Sequence, residues 1–350
     1  MNNIDELVGD HLFQLNLILW LTQPITADIG IRPLLADLGF SVYSISPPLA
    51  LPIHIREKIR EMNLSAQDAC SPDVLLNRKE ADFFLLVECK KSSFGVNSTT
   101  AEQARTLLLL EGQVLGESLA LSPTTIVDSA VSFVTKEDQR SQMQLTCENL
   151  KKEITDKGFK ANLAFCFGIK YDPENSVYIE IDSIAANQFG LIGRDSEAIK
   201  IIQGQPDTDP RPLYFIPLDP AVEQNEYGKK TLEQRLLGEL LSLIGRVKVP
   251  SKTLFKVEDL LEKATWGMYN IWGDRDARTH LKRQVKSFLK NKVAAMFPQN
   301  FQQDQDAWIL NIESPKDKES ILSAFQKTEK IEELKITQFD LFEEDKKLLH

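Results

Sequence analysis

From Leu12 to Leu21 the chain is apolar at every position except Gln14 and Asn16. A run this short cannot cross a bilayer as a helix, which takes about 20 apolar residues, so the pattern predicts a buried helix over 4–21. A second helix is predicted over 25–38, ended by Gly39, where a left-handed backbone favours glycine. Phe40 to Ile45 alternates serine with strand formers and predicts a short strand. Pro47, Pro48 and Pro52 then impose irregular chain before a charged helix over 54–63. Strands follow at 73–76 and 83–90, with the polar stretch Asn77 to Ala81 between them. Beyond a loop at 92–100 come a helix over 100–119, a strand over 126–134 and a helix over 137–157. A hairpin pairs 162–169 with 177–181 around Asp172-Pro173-Glu174-Asn175. Interleaved strands and helices up to residue 204 predict an α/β unit.

The texture then changes. The stretch 205–228 is rich in proline and aspartate and reads as a linker. Over 229–313 the pattern becomes mainly helical: Leu232, Leu236, Leu237 and Leu240 recur at helical spacing, a second helix is predicted over 257–271, and a third starts near Asp274 or Asp276. A closing strand is predicted at 307–312, and 314–350 reads as an acidic tail. At 350 residues, a division into two domains and a tail is the natural one.

Charge sharpens that division. The net charge of −10 argues against a nucleic-acid partner only when averaged over the chain. It divides into −7 for 1–130, −6 for 131–228, +8 for 229–297 and −5 for 298–350. The basic character is concentrated on the third predicted helix, in Arg278, Lys282, Arg283, Lys286 and Lys290. Clustered cations on one helix suit phosphate contacts, and the size and helix count of 229–313 are those of a winged-helix-like DNA-binding module. A basic solvated helix in a protein-binding domain is the alternative reading. Trp266, Tyr269, Trp272 and Phe288 read as the core of this module. The first ten residues carry Asp5, Glu6 and Asp10 where a secretory leader needs positive charge. Four cysteines without C-x-x-C spacing predict neither a zinc cluster nor a disulfide framework, and a reducing, cytoplasmic setting without a membrane follows.

The candidate chemistry lies in SPDVLLNRKEADFFLLVECK, residues 71–90. The apolar run Phe83 to Val87 predicts a buried strand, yet it ends in Glu88 and Lys90, and burying unpaired charge is costly. Alternation puts Glu88 and Lys90 on one face and Cys89 on the other. A hairpin centred between Glu80 and Ala81 would place Asp73 opposite Glu88. Two facing carboxylates repel unless a cation sits between them. Mg²⁺, or Mn²⁺ in its place, takes oxygen ligands and keeps waters, so Asp73, Glu88 and a main-chain carbonyl, that of Cys89, suit it. Lys90 beside the ion could orient or help deprotonate an attacking water and offset charge developing on a phosphate. The bland alternative is a same-face Glu88–Lys90 ion pair at a strand end. The Cys89 thiol, facing away from the carboxylates, reads as core packing rather than a nucleophile.

Pro72-Asp73, a spacer and Glu88-Cys89-Lys90 resemble the PD-(D/E)XK nuclease superfamily, which includes restriction endonucleases and related repair and defence nucleases. The resemblance covers roughly residues 20–135. It implies a restriction-endonuclease-like mixed sheet flanked by helices, beside the winged-helix-like second domain. It also implies a Mg²⁺-dependent endodeoxyribonuclease of restriction or phage-defence type. Asp28, on the helix predicted over 25–38, is similar in place to an acid many members use as a further metal ligand. Gln103 resembles a glutamine that some members carry near the catalytic site. Cutting both strands of a duplex takes two such sites, which a homodimer supplies. The rival readings are a non-catalytic nucleic-acid or partner-binding protein on a nuclease scaffold, and a subunit active only inside a complex. Gln338-Phe339-Asp340-Leu341-Phe342 is similar to the peptide by which bacterial proteins dock on the sliding clamp, with Gln338, Leu341 and Phe342 as anchors; packing of a terminal helix is its alternative.

Overall fold

The computed structural model describes residues 7–24, 31–172, 176–181, 198–202, 214–217, 226–305 and 307–327. Asp28 and Gln338, Leu341 and Phe342 lie outside the described residues. The chain divides into two units, one formed by 1–216 with 271–274 and the other by 217–270 with 275–350.

The first unit is α/β. Helix α1 (His11–Leu21) has ten of its eleven residues buried and is apolar on every side, as a helix inside a core must be. Asp10 caps it by accepting the Phe13 N–H at 3.2 Å, which fixes His11 as its first residue. Among the described residues of 25–38 only α2 (Leu34–Asp37) is helical, so the long helix predicted there is not what the described chain forms. Strand β1 (Ser41–Ile45), the two-residue β2 (Leu49–Ala50), α3 (Ile53–Glu61) and the two-residue β3 (Ala69–Cys70) follow.

Strands β4 (Val74–Arg78) and β5 (Phe83–Cys89) form the predicted hairpin, with Val74 opposite Val87 and Arg78 opposite Phe83. A 3₁₀ turn at Lys79–Ala81 and the left-handed Asp82 (φ 46°) close it. The predicted 100–119 helix is two helices, α4 (Thr99–Leu109) and α5 (Gly112–Ser118). They divide because Glu111 is extended (φ −75°, ψ 150°), and because Gly112 packs so closely that a Cβ there would meet the Val127 carbonyl oxygen at 2.5 Å. Strand β6 (Asp128–Lys136), α6 (Glu137–Asp156), β7 (Leu163–Tyr171), β8 (Val177–Ile181) and β9 (Ile199–Ile202) complete the sequence of elements.

Seven strands form one mixed sheet in the order β1-β4-β5-β6-β7-β8-β9. β5, β6 and β7 are mutually parallel and the remaining neighbours are antiparallel. β5 is central and buried at all seven positions. Phe84 and Leu86 point into a core with Ala104, Leu107 and Leu108 of α4 and Met143, Cys147 and Leu150 of α6. Glu88 follows them on that face. The unit runs past the predicted boundary at 204: Tyr214, Phe215 and Ile216, assigned by sequence to the linker, are buried. Tyr214 packs 5.6 Å from the Trp20 ring, and Asn16 pairs with both the N–H and the carbonyl of Ile216. Ile271–Asp274 also belongs here, with the Gly273 N–H donating to the Ile45 carbonyl at 2.6 Å.

The second unit contains α7 (Glu226–Arg246), β10 (Ser251–Lys256), α8 (Val257–Ala264), a 3₁₀ turn, α9 (Arg275–Phe288), β11 (Phe301–Asp304) and β12 (Ala307–Ile312). The predicted 257–271 helix is therefore shorter and is followed by the 3₁₀ turn. The predicted closing strand is β12, the middle of a three-stranded sheet ordered β10-β12-β11. A final helix, α10, covers 315–327 and buries Ile321 and Phe325, so the first part of the predicted acidic tail is core. Phe325 packs 5.5 Å from the Phe297 ring. Among the described residues no helix is long and apolar enough to cross a membrane.

Candidate active site

Strand pairing brings the site together. Because Val74 pairs with Val87, the next pair outward is Asp73 with Glu88, as the hairpin arithmetic required. Asp73 Oδ2 accepts the main-chain N–H of Cys89 at 2.6 Å. The Lys90 N–H continues the ladder to the Val134 carbonyl at 2.8 Å, which holds the strand end against β6. Lys90 Nζ donates to Glu88 Oε1 at 2.6 Å. Helix α4, capped by Ser98, carries Gln103 over the same face. Its Nε2 donates to Glu88 Oε1 at 2.9 Å while its Oε1 accepts from Lys90 Nζ at 3.3 Å. Asp73, Glu88, Lys90 and Gln103 thus form one cluster.

The electrostatics follow from burial. Glu88 is 3% exposed. Burial, and then the charge of Asp73, push its pKa up to about 8 against the opposing pull of Lys90 and His11. Burial by itself would lower the Lys90 pKa, but the Glu88 carboxylate outweighs it and the net direction is upward. Burial first, then Asp73 and Glu88, push the Cys89 thiol pKa up as well, which makes it a poor nucleophile and fits the packing reading. All four cysteines are free and buried.

Glu88 Oε2 is buried without a hydrogen-bond partner. A carboxylate oxygen left bare in a dry site is expensive, and it is satisfied by a proton or a cation. Among the described residues no three histidine, cysteine, aspartate or glutamate side chains form a closed cation cage. Two carboxylates with main-chain oxygen nearby suit a hard divalent ion that keeps part of its water shell.

Sequence reasoning missed the contribution of α1. His11 Nε2 lies 2.9 Å from Asp73 Oδ1. One turn on, Gln14 Nε2 donates to the Lys90 carbonyl at 3.3 Å and to that of Val8 at 2.8 Å. The signal was present in the polar Gln14 inside an apolar run: a buried amide N–H needs acceptors, and one of its two is the Lys90 carbonyl at the strand end.

In the second unit the predicted cations separate into two groups. The Arg278 guanidinium lies 4.9 Å from the Tyr269 ring centroid, and Lys282 pairs with Glu258 at 2.5 Å. Lys286 is half-buried, whereas Arg283 and Lys290 are exposed, as is Arg275, which opens α9 and was not singled out from sequence. Trp266, predicted as core, is 50% exposed, with the Arg235 guanidinium 4.5 Å from its ring, while Tyr269 and Phe288 are buried as predicted; Trp272, predicted as core of this module, is buried but belongs to the first unit.

Comparison with protein-family models, with curated proteins and with solved structures finds no match.

Proposed function

We propose that this chain is a divalent-metal-dependent nuclease that hydrolyses DNA phosphodiester bonds at Asp73, Glu88 and Lys90. The observation that carries this reading is the bare, buried Glu88 Oε2 beside Asp73, at a strand end where Asp73, Lys90 and Gln103 are each hydrogen-bonded. Asp73, Glu88 and the Cys89 main chain would hold Mg²⁺ or Mn²⁺. Such an ion, when bound, would lower the pKa of a water it holds and balance charge on the phosphate. Lys90 Nζ, already placed as a donor to Glu88 Oε1, would donate to a phosphate oxygen and offset the charge that grows there. Gln103 keeps Glu88 and Lys90 in register. The order of the sheet supports a restriction-endonuclease-like core: three antiparallel strands, the helical segment α4–α5, then a parallel strand.

The second unit is read as the DNA grip. Its order α7-β10-α8-α9-β11-β12, with β12 between β10 and β11, fits a winged-helix-like module. Arg275, Arg283 and Lys290 on the exposed side of α9 and beyond it are the residues for phosphate contact. The test is incubation with labelled duplex DNA, single-stranded DNA and RNA in Mg²⁺ or Mn²⁺. Cleavage of DNA should stop with chelator, in Glu88→Ala and in Lys90→Ala. Undiminished cleavage by Glu88→Ala would assign the activity elsewhere, and no cleavage of any substrate by the intact chain removes the claim that it works alone.

A further inference from the structure

Each acid of the candidate site has its own side-chain donor. Gln103 serves Glu88 at 2.9 Å, and His11 stands in the same relation to Asp73, also at 2.9 Å. The Asp73 carboxylate is held at both oxygens, Oδ2 by the Cys89 N–H and Oδ1 by the imidazole. One donor alone leaves an aspartate free to turn about a soft terminal torsion, whereas a second on the other oxygen fixes the plane. The position of His11 is set by the helix: the Asp10 cap starts α1 there, and Gln14 one turn later is tied to the Lys90 carbonyl. One edge of α1 therefore touches both the aspartate and the lysine of the site.

We propose that His11 is a positioning residue that sets divalent-cation affinity by orienting Asp73. The inference rests on the metal-dependent reading above. Donors to a ligating carboxylate act on metal binding through its orientation, and their loss costs about 10–100-fold in affinity. The plain alternative is a half-exposed His–Asp pair that contributes a little stability and nothing to the site. With the His11 side chain 43% exposed and that of Asp73 15% exposed, removing the ring opens no core cavity, so the two readings separate in one experiment.

The experiment is isothermal titration of the full chain with Mn²⁺, and separately with Ca²⁺, without nucleic acid, at one pH. It compares wild type, His11→Ala, His11→Gln and Glu88→Ala, each with its melting midpoint without metal. Glutamine places an amide N–H at about the reach of Nε2. Wild type should bind and Glu88→Ala should not. His11→Ala should bind about 10–100-fold more weakly with its midpoint little changed, and His11→Gln should recover to within about threefold of wild type. Should His11→Ala melt far lower, His11→Asn, whose amide is too short to reach Asp73, takes its place. Wild-type affinity in His11→Ala beside lost affinity in Glu88→Ala overturns the role of His11 and leaves the site reading intact. Affinity as low in His11→Gln as in His11→Ala makes the imidazole a ligand itself and overturns orientation. No binding by wild type, or equal binding by Glu88→Ala, brings down the site reading and this inference with it.

Discussion

Replacing Glu88 with glutamine isolates the electrostatic cost of the site. In the folded chain burial and Asp73 raise the Glu88 pKa from 4.5 to about 8. Below the unfolded value both states hold the proton and folding is not penalised. Between the two values the unfolded chain is ionised while the folded one keeps its proton, so stability falls as pH rises. Above the folded value the penalty is complete. At about 1.4 kcal/mol per pKa unit, it is on the order of 5 kcal/mol. Glutamine has the same size and does not titrate. Urea unfolding of the first unit, followed by circular dichroism in chelator, should therefore show wild type losing several kcal/mol more than Glu88→Gln between about pH 5 and pH 9. A divalent cation should restore wild type at the alkaline end, because it binds the ionised form, and should leave Glu88→Gln unmoved. Curves that stay parallel across this range would refute the argument, since they would mean that the folded Glu88 titrates like a free carboxylate.

Four further outcomes follow from the packing and the charges. Asn16→Leu strands the buried N–H and carbonyl of Ile216 and should cost roughly 2–4 kcal/mol in urea unfolding. A fragment ending at 217 should melt cooperatively and well above one ending at 204, because only the longer keeps Tyr214, Phe215 and Ile216 in the core. Arg283→Ala should lower the slope of log affinity against log salt for duplex DNA by about 1, measured by fluorescence anisotropy. Lys282→Ala, which removes the partner of Glu258, should change that slope less and the melting midpoint more.

The hairpin of the candidate site was legible because its evidence is local. A polar turn, two apolar runs and a period of two fix which residues face each other, and the register that puts Asp73 across from Glu88 follows without distant information. Helix α1 was legible as buried, but its role was not. What gives it one is contact with Asp73, 62 residues on, and with Ile216, 200 residues on, and such separations leave no trace in periodicity. The same limit explains why Tyr214 to Ile216 read as linker: proline spacing describes the chain around them and says nothing of the Trp20 and Phe13 rings they meet. Strand β10 was passed over because Leu254 is exposed among lysines, so its alternation is weak. The second unit's third helix was placed within a residue of its start, yet composition could not tell that Lys282 is engaged by Glu258 while Arg283 is exposed.

The Asn16–Ile216 clamp also sets an order of events during synthesis. A ribosome that has just added Lys90 has made every charged residue of the motif, yet the helix carrying His11 and Gln14 still lacks the partner that fixes its flank. At about 5–20 residues per second, the 126 residues up to Ile216 take roughly 6–25 s to translate. A nascent chain is thereby kept from presenting the completed candidate site until most of its first unit has emerged.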